Sequence, residues 1–572
     1  MRVSAAAVLI IISTSVGCAP RAPAPGATPL PGVAQSWPFL GRARVTSAPQ
    51  AMVVSGSPIA SQVGRDILQR GGNAVDAAVA VGFALAVVHP EAGNIGGGGF
   101  TIIRPRDGRV QALDYRETAP ELASRDMYRA GAEDASVTGH LSAGVPGAVA
   151  GLTAAHRRYG KLPLATVIEP AIRLASDGFV VDEYRSLSIA DDSARLALFP
   201  ASRATFLPAD RPPAEGSTFQ QPELAATLEA IRDSGAAGFY RGWVAELIAA
   251  EMKRGGGLIS REDLASYRAI WREPVEISYR GYTIYSMPPA SSGGVTMGQI
   301  FNIMEGFGPL PPFGSAALLH WEAEAMRRAF TDRNTYLGDP AFVRNPLDRL
   351  LSKSYASELR AQIGGRASTT PVFQTAPGGG SSTTHYSVID AEGNAVSCTT
   401  TLNNSYGSAV TVTGAGFLLN DEMDDFATSP GEPNMYGLVQ GEANAIAPGK
   451  RMLSAMTPSI VLDSTKQLYM VVGTPGGPRI ITMVYHVISN VIDHRMSLAD
   501  AVVAPRMHHQ GLPDSLRVEA EGFLPETLDS LRQRGHGVSS GGHWGDVEGI
   551  IRTAAGWQGV SDPRRGGGGA GY

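Results

Sequence analysis

The sequence predicts a large mixed α/β protein with a sizeable core, its length leaving the number of domains open, and three observations support that class. Its 572 residues are 43% apolar and 18% charged, enough apolar surface to fold without disulfide or metal staples. Helical and extended patterns alternate early in the chain, where residues 59–69 and 74–88 precede strand-like runs at 100–103 and 110–115. From residue 383 onward the pattern turns strongly β, with 385–389 and 395–402 flanking Ala391-Glu392-Gly393-Asn394, a hairpin turn. The net charge of -5, from 48 basic and 53 acidic residues, argues against a nucleic-acid partner, which would need a basic surface.

The chain starts with Met1-Arg2, an apolar run over 5–12 and Ser15-Val16-Gly17-Cys18, which resembles a bacterial lipoprotein signal. Residues 1–17 are therefore expected to be a signal peptide removed on export, with a lipid on Cys18 as the only link to a membrane. The apolar run is too short for a permanent span. Residues 18–45, rich in Pro, Ala and Gly as far as Pro38, read as a flexible tether. The second cysteine, Cys398, lies in the body, so no structural disulfide is expected.

The helix at 59–69 is stopped by Gly71-Gly72, and the Ala- and Val-rich helix at 74–88 ends at His89-Pro90. Gly93-Asn94-Ile95-Gly96-Gly97-Gly98-Gly99 then follows a helix and precedes a strand, the reverse of a dinucleotide site, so it reads as tight backbone packing. The middle third carries helices such as 222–233 and 243–253 and strands such as 275–279, mostly scaffold. Residues 364–382, rich in Gly, Ser, Thr and Pro, read as a mobile surface segment.

Thr383 follows that segment and opens the hairpin. A turn centred between Glu392 and Gly393 sets Thr383 opposite the neighbourhood of Leu402 and returns Thr401 and Asn403 beside it. Gly378-Gly379-Gly380 allows the backbone to bend so that the Thr383 hydroxyl attacks the Ser382 carbonyl, giving an ester that water opens. The freed α-amine, with an ordinary pKa of about 8, can then take the hydroxyl proton. One residue thus supplies nucleophile and base.

Thr383-Thr384-His385-Tyr386-Ser387-Val388, Asn420-Asp421-Glu422-Met423-Asp424-Asp425-Phe426 and Thr474-Pro475-Gly476-Gly477 together resemble γ-glutamyltranspeptidase. The likeness extends over residues 51–572, from Gly71-Gly72-Asn73-Ala74-Val75-Asp76-Ala77-Ala78 to Ser561-Asp562-Pro563-Arg564 and Ala570-Gly571-Tyr572. It implies an N-terminal-nucleophile hydrolase with a four-layer αββα sandwich and no cofactor or metal. A large subunit, 46–382, and a small catalytic subunit, 383–572, would form that one domain together after autocatalytic cleavage between Ser382 and Thr383.

The same resemblance implies roles. Thr401 positions Thr383, Gly476 and Gly477 form the oxyanion hole, Arg116 binds the substrate α-carboxylate, and Asn403, Glu422 and Asp425 hold the α-ammonium. Arg116 is counted here in the strand at 110–116. Where the family has two serines this chain has Ser454-Ala455, so Ser454 alone would assist Arg116. Residues 430–441, with Tyr436 near the centre, resemble a lid. The expected donor is glutathione or another γ-glutamyl compound, and the acceptor an amino acid, a dipeptide or water. Two alternatives stand: a glutaryl or cephalosporin acylase of the same family, and a tethered solute-binding lipoprotein without chemistry.

Overall fold

The computed structural model describes residues 24, 29–129, 134–369 and 382–572. The leader, Cys18, part of the expected tether, Gly378-Gly379-Gly380 and much of the predicted mobile segment lie outside them. Residues 29–45 lie inside and are not a free spacer: Trp37 is fully buried beside Val33, Leu40 and Phe313 and donates to the Val503 carbonyl at 2.8 Å, and Arg44 opens the strand Arg44–Ala48.

The hairpin that opens at Thr383 sits inside a seven-stranded antiparallel sheet. Its order is Gly568–Gly571, Met52–Ser55, Thr383–Ile389, Ala395–Thr401, Gly98–Arg104, Gln111–Asp114 and Ile270–Arg272. A second antiparallel sheet of seven strands packs against it: Arg44–Ala48, Gly556–Ser561, Glu548–Thr553, Leu468–Gly473, Ser459–Leu462, Tyr282–Ser286 and Val275–Tyr279. Alternation along each strand decides which face each residue takes. Val53, Ile103, Val388 and Val396 face helices Pro58–Gln69 and Ala74–Val88, whereas Met52, Val54, Ile102 and Ile389 join the core shared with Ile460, Val471 and Ile550. Helices Gly293–Glu305, Ala316–Tyr336 and Arg479–Ile492 cover the far face of the second sheet. The result is the αββα stack of four layers.

Local chemistry explains the helix that backs the nucleophile strand. Every residue of Ala74–Val88 is buried, as expected for a helix apolar on all sides. Asn73 caps it in a capping box with Asp76, and the Asp390 carboxylate accepts from the Ala74 N–H at 2.8 Å. The glycine run is a close-packing device: a Cβ on Gly96 would lie 2.0 Å from the Leu418 carbonyl oxygen.

Two further expectations need correction. Thr383 pairs with Thr401, not Leu402, because the connection spans five residues, 390–394, rather than a turn centred on a bond. Asp390 organises it: its Oδ1 accepts from the Glu392 and Asn394 N–H groups, and Gly393 supplies φ 84°. The strand expected to carry Arg116 ends at Asp114, whose side chain accepts from the Arg116 N–H at 3.0 Å and turns the chain out of the sheet.

Candidate active site

Directly opposed residues share a face, so the observed register puts the Thr383 and Thr401 hydroxyls side by side. Thr383 Oγ1 donates to Thr401 Oγ1 at 3.2 Å, and Thr401 Oγ1 donates to the Ser382 carbonyl oxygen at 3.0 Å. The Asn403 N–H donates to Thr401 Oγ1 at 2.8 Å, which leaves that hydroxyl proton only the Ser382 carbonyl. Ser382 is held in turn by its hydroxyl, which donates to the Glu91 carbonyl at 2.7 Å. The scissile carbonyl is thereby polarised and fixed beside the Thr383 hydroxyl, in a site where Thr383 is 5% exposed.

The strand Leu468–Gly473 and the helix Arg479–Ile492 are joined through Thr474-Pro475-Gly476-Gly477-Pro478. Gly476 and Gly477 take φ 145° and 58°, values that side chains resist, and their N–H groups find no acceptor among the described residues. Gly477 lines the same cavity as Thr383 and packs under the Tyr436 ring, where a Cβ would come within 3.0 Å. Gly476 sits behind it against Met483.

The predicted carboxylate and ammonium sites form one cluster rather than two. The Arg116 guanidinium, fully buried, lies 2.5 Å from Glu422 Oε2, pairs closely with Asp425 Oδ2 and has Glu117 at 3.6 Å. Burial works against the Arg116 charge, but Glu422, Asp425 and Glu117 outweigh it and hold its pKa above the ordinary arginine value. Burial likewise raises the Glu422 carboxyl and pushes Glu117 up to about 7, with Arg116 opposing in both. Neither oxygen of Glu422 or Glu117 accepts an aligned hydrogen bond among the described residues. One guanidinium thus serves three carboxylates, and the cluster has unused capacity to accept from a cation.

Tyr436 closes the cavity. Its hydroxyl donates to Asn403 Oδ1 at 2.6 Å, while Asn403 Nδ2 donates to the Asp421 carbonyl and Asn403 itself takes φ 80°. Ser454 and Ala455 also line the cavity; Ser454 Oγ accepts from the Met456 N–H, and Ala455 offers only a methyl group. The enclosed space is about 20 Å³, where one water needs about 10–15 Å³.

The site also involves residues that pattern reading did not single out. Glu117 does not line the cavity itself but lies 3.6 Å from the Arg116 guanidinium, and it was legible only by its neighbour in sequence. Arg333 lines the cavity from helix Ala316–Tyr336, which buries His320, Glu322, Glu324 and Arg327 as well. That helix has no clean apolar face, and its loss of amphipathic order was the only signal.

Comparison with known proteins gives the chain its relatives. The family model described as Gamma-glutamyltranspeptidase matches residues 60–572. The glutathione hydrolase proenzyme of Escherichia coli (strain K12) is 47% identical over 532 residues, covering 90% of this chain and 91% of that protein. The acylase ACY 1 proenzyme of Pseudomonas sp. (strain V22) is 40% identical, over 89% of this chain and 90% of its own length. Among solved structures, cephalosporin acylase from Bacillus halodurans superposes with a TM-score of 0.83 at 30% identity, covering 94% of this chain and 98% of that one. With a match of that length around a buried threonine pair at the head of a central strand, the chain belongs to the γ-glutamyltranspeptidase family.

Proposed function

We propose that this protein is a self-processing γ-glutamyltransferase and glutathione hydrolase whose nucleophile is Thr383. The observation that carries the reading is the hydroxyl pair, in which Thr401 donates to the Ser382 carbonyl and accepts from Thr383.

In processing, Thr383 Oγ1 adds to the Ser382 carbonyl carbon and the C–N bond breaks, leaving an ester and a free Thr383 amine. Water then hydrolyses the ester, giving a Ser382 carboxylate at the end of a large subunit, 46–382, and a free hydroxyl at the head of a small one, 383–572. In turnover, the α-amine accepts the Thr383 hydroxyl proton, Oγ1 attacks the γ-carbonyl of the donor, and the oxyanion forms against the Gly476 and Gly477 N–H groups. The amine passes its proton to the departing nitrogen. An amino acid, a dipeptide or water then attacks the γ-glutamyl ester and regenerates Thr383.

Glu422, Asp425 and Asn403 take the donor ammonium, and Arg116 and Ser454 serve its carboxylate. Because Arg116 is already paired and the space is small, donor binding exchanges ion partners and displaces the Tyr436 lid. The leader reading adds export to the periplasm and lipidation at Cys18, which the mass of the mature N-terminal peptide tests.

Denaturing electrophoresis and N-terminal sequencing test the core of the proposal. Wild-type protein should run as two fragments, the smaller beginning Thr-Thr-His-Tyr, and Thr383→Ala should stay as one. An uncut wild-type chain would refute the mechanism and favour a solute-binding lipoprotein. A glutaryl or cephalosporin acylase is the second reading, favoured by Ala455 and by the acylase relatives. A glutaryl anilide cleaved much faster than its γ-glutamyl counterpart would decide for it.

A further inference from the structure

The proposed donor site straddles the cut at Ser382: Arg116 stands before it, whereas Glu422, Asp425 and Ser454 stand after it. Donor entry exchanges the ion partners of Arg116, so those partners cannot keep it aligned throughout. Its main chain must stay fixed instead. The strand Gln111–Asp114 ends short of Arg116, and other groups have to hold the segment that follows.

Two side chains do so. The Arg116 carbonyl accepts from the Tyr267 hydroxyl at 2.7 Å and from Arg451 Nη1 at 2.6 Å. Arg451 Nη1 also reaches Asp114 Oδ1 and Tyr267 Oη, each at 3.1 Å, and its Nη2 donates to the Arg268 carbonyl at 2.7 Å. Asp114 in turn accepts from the Arg116 N–H at 3.0 Å. The N–H and the carbonyl of Arg116 are thus both tied to the buried Asp114–Arg451 ion pair.

Neither donor has room to swing. Tyr240 stacks on the Tyr267 ring with centroids 5.7 Å apart and planes 8° from parallel, and a Cβ on Gly147 would lie 2.2 Å from the Tyr267 hydroxyl. Burial works against the Arg451 charge, but Asp114 and the Tyr267 hydroxyl outweigh it and hold its pKa above the ordinary arginine value. The chain then runs from Arg451 to Met452, whose carbonyl accepts from Arg116 Nε at 3.3 Å, and on to Ser454 in the cavity wall. A displaced Arg451 would therefore shift Arg116 and Ser454 relative to one another.

We infer that Arg451, assisted by Tyr267, is a positioning residue that holds Arg116 of the large subunit at a set distance from Ser454 of the small one, so that both reach one donor carboxylate. The inference rests on the γ-glutamyl reading of this site. Neither residue touches the donor; each acts through Arg116, as support that locks a binding group in its productive geometry.

The test uses the full-length matured enzyme and two pairs of anilides, γ-glutamyl with 4-aminobutyryl and glutaryl with butyryl, the second member of each pair lacking the carboxylate. A misplaced Arg116 penalises the first member selectively. In Arg451→Gln, kcat/KM for that member should fall about 10- to 100-fold more than for its counterpart, the range for losing a hydrogen bond to a charge. Most of the loss should be in KM. Tyr267→Phe removes one hydroxyl and no charge, so its selective loss should be about 3- to 10-fold. Equal losses on both members of a pair, in either variant, would make these residues general structural supports and overturn the proposal. Should Arg451→Gln fail to mature, Tyr267→Phe decides by the same ratio. Should the wild type ignore γ-glutamyl anilide and cleave the glutaryl compound, the functional reading fails separately, and the glutaryl and butyryl pair still tests Arg451 and Tyr267.

Discussion

Thr401 does two things with one hydroxyl: it donates to the Ser382 carbonyl and accepts from Thr383 and from the Asn403 N–H. Thr401→Ala should slow maturation by about 10²- to 10³-fold, the range for losing one donor at a developing oxyanion, and Thr401→Ser should restore most of it. A time course of fragment appearance on a denaturing gel reads both. An alanine variant that matures at the wild-type rate would mean that the carbonyl is polarised by something else. At this scale the sequence shows residue types but not their partners. Thr383 was legible from its place before a hairpin. Arg333 was not, because nothing in residues 316–336 marks which charge faces a cavity, and Arg116 looked free although its partners lie about 300 residues away.

The hairpin connection is an element in which one side chain gathers most of the side-chain hydrogen bonds. Asp390 accepts from the Glu392 N–H, the Asn394 N–H and Nδ2, and the Ala74 N–H at the start of the buried helix. Asp390→Ala should destabilise the fold by about 2–4 kcal/mol, read as a lower urea midpoint, since each orphaned donor costs about 1 kcal/mol. The helix Ala316–Tyr336 gives a pH-dependent case. Burial pushes its Glu322 carboxyl up to about 8, with the Tyr485 hydroxyl at 3.2 Å opposing. The folded state holds this proton from the ordinary value of 4.5 up to about 8 while the unfolded state does not, so stability falls with rising pH in that window. Glu322→Gln should match wild type in thermal stability at pH 4 and exceed it at pH 8. The advantage grows by at most about 1.4 kcal/mol per pH unit. Equal melting temperatures at pH 8 would show that the carboxyl is ionised without penalty. Elements were the most legible level: the helix at 74–88 has the boundaries that its Asn73 cap and His89-Pro90 stop announce. The hairpin register was off by one residue because composition does not reveal that Asp390 folds into the turn.

In the whole molecule the two prospective subunits interleave. The first sheet mixes strands from before and after Ser382: Met52–Ser55 lies between Gly568–Gly571 and Thr383–Ile389, and Gly98–Arg104 follows Ala395–Thr401. The second sheet mixes them too, with Arg44–Ala48, Tyr282–Ser286 and Val275–Tyr279 from the first part and the other four strands from the second. Neither part owns either seven-stranded sheet, so the fragments should co-elute through gel filtration after cleavage and separate only in denaturant. Each expressed alone should lack cooperative unfolding. A small fragment that melts cooperatively by itself would contradict this. The layered order rests on contacts between residues hundreds apart, which no local pattern encodes, and only the resemblance supplied it.

That interleaving also makes the cut a record of folding. Thr401 meets the Ser382 carbonyl within the hairpin, but Ser382 is fixed there by donating to the Glu91 carbonyl from far earlier in the chain, so a polypeptide that never reached this state should stay whole. The ratio of cut to uncut chain then counts, molecule by molecule, how many copies have ever been native. A destabilising variant can be scored from a crude lysate as an integrated history rather than as an equilibrium.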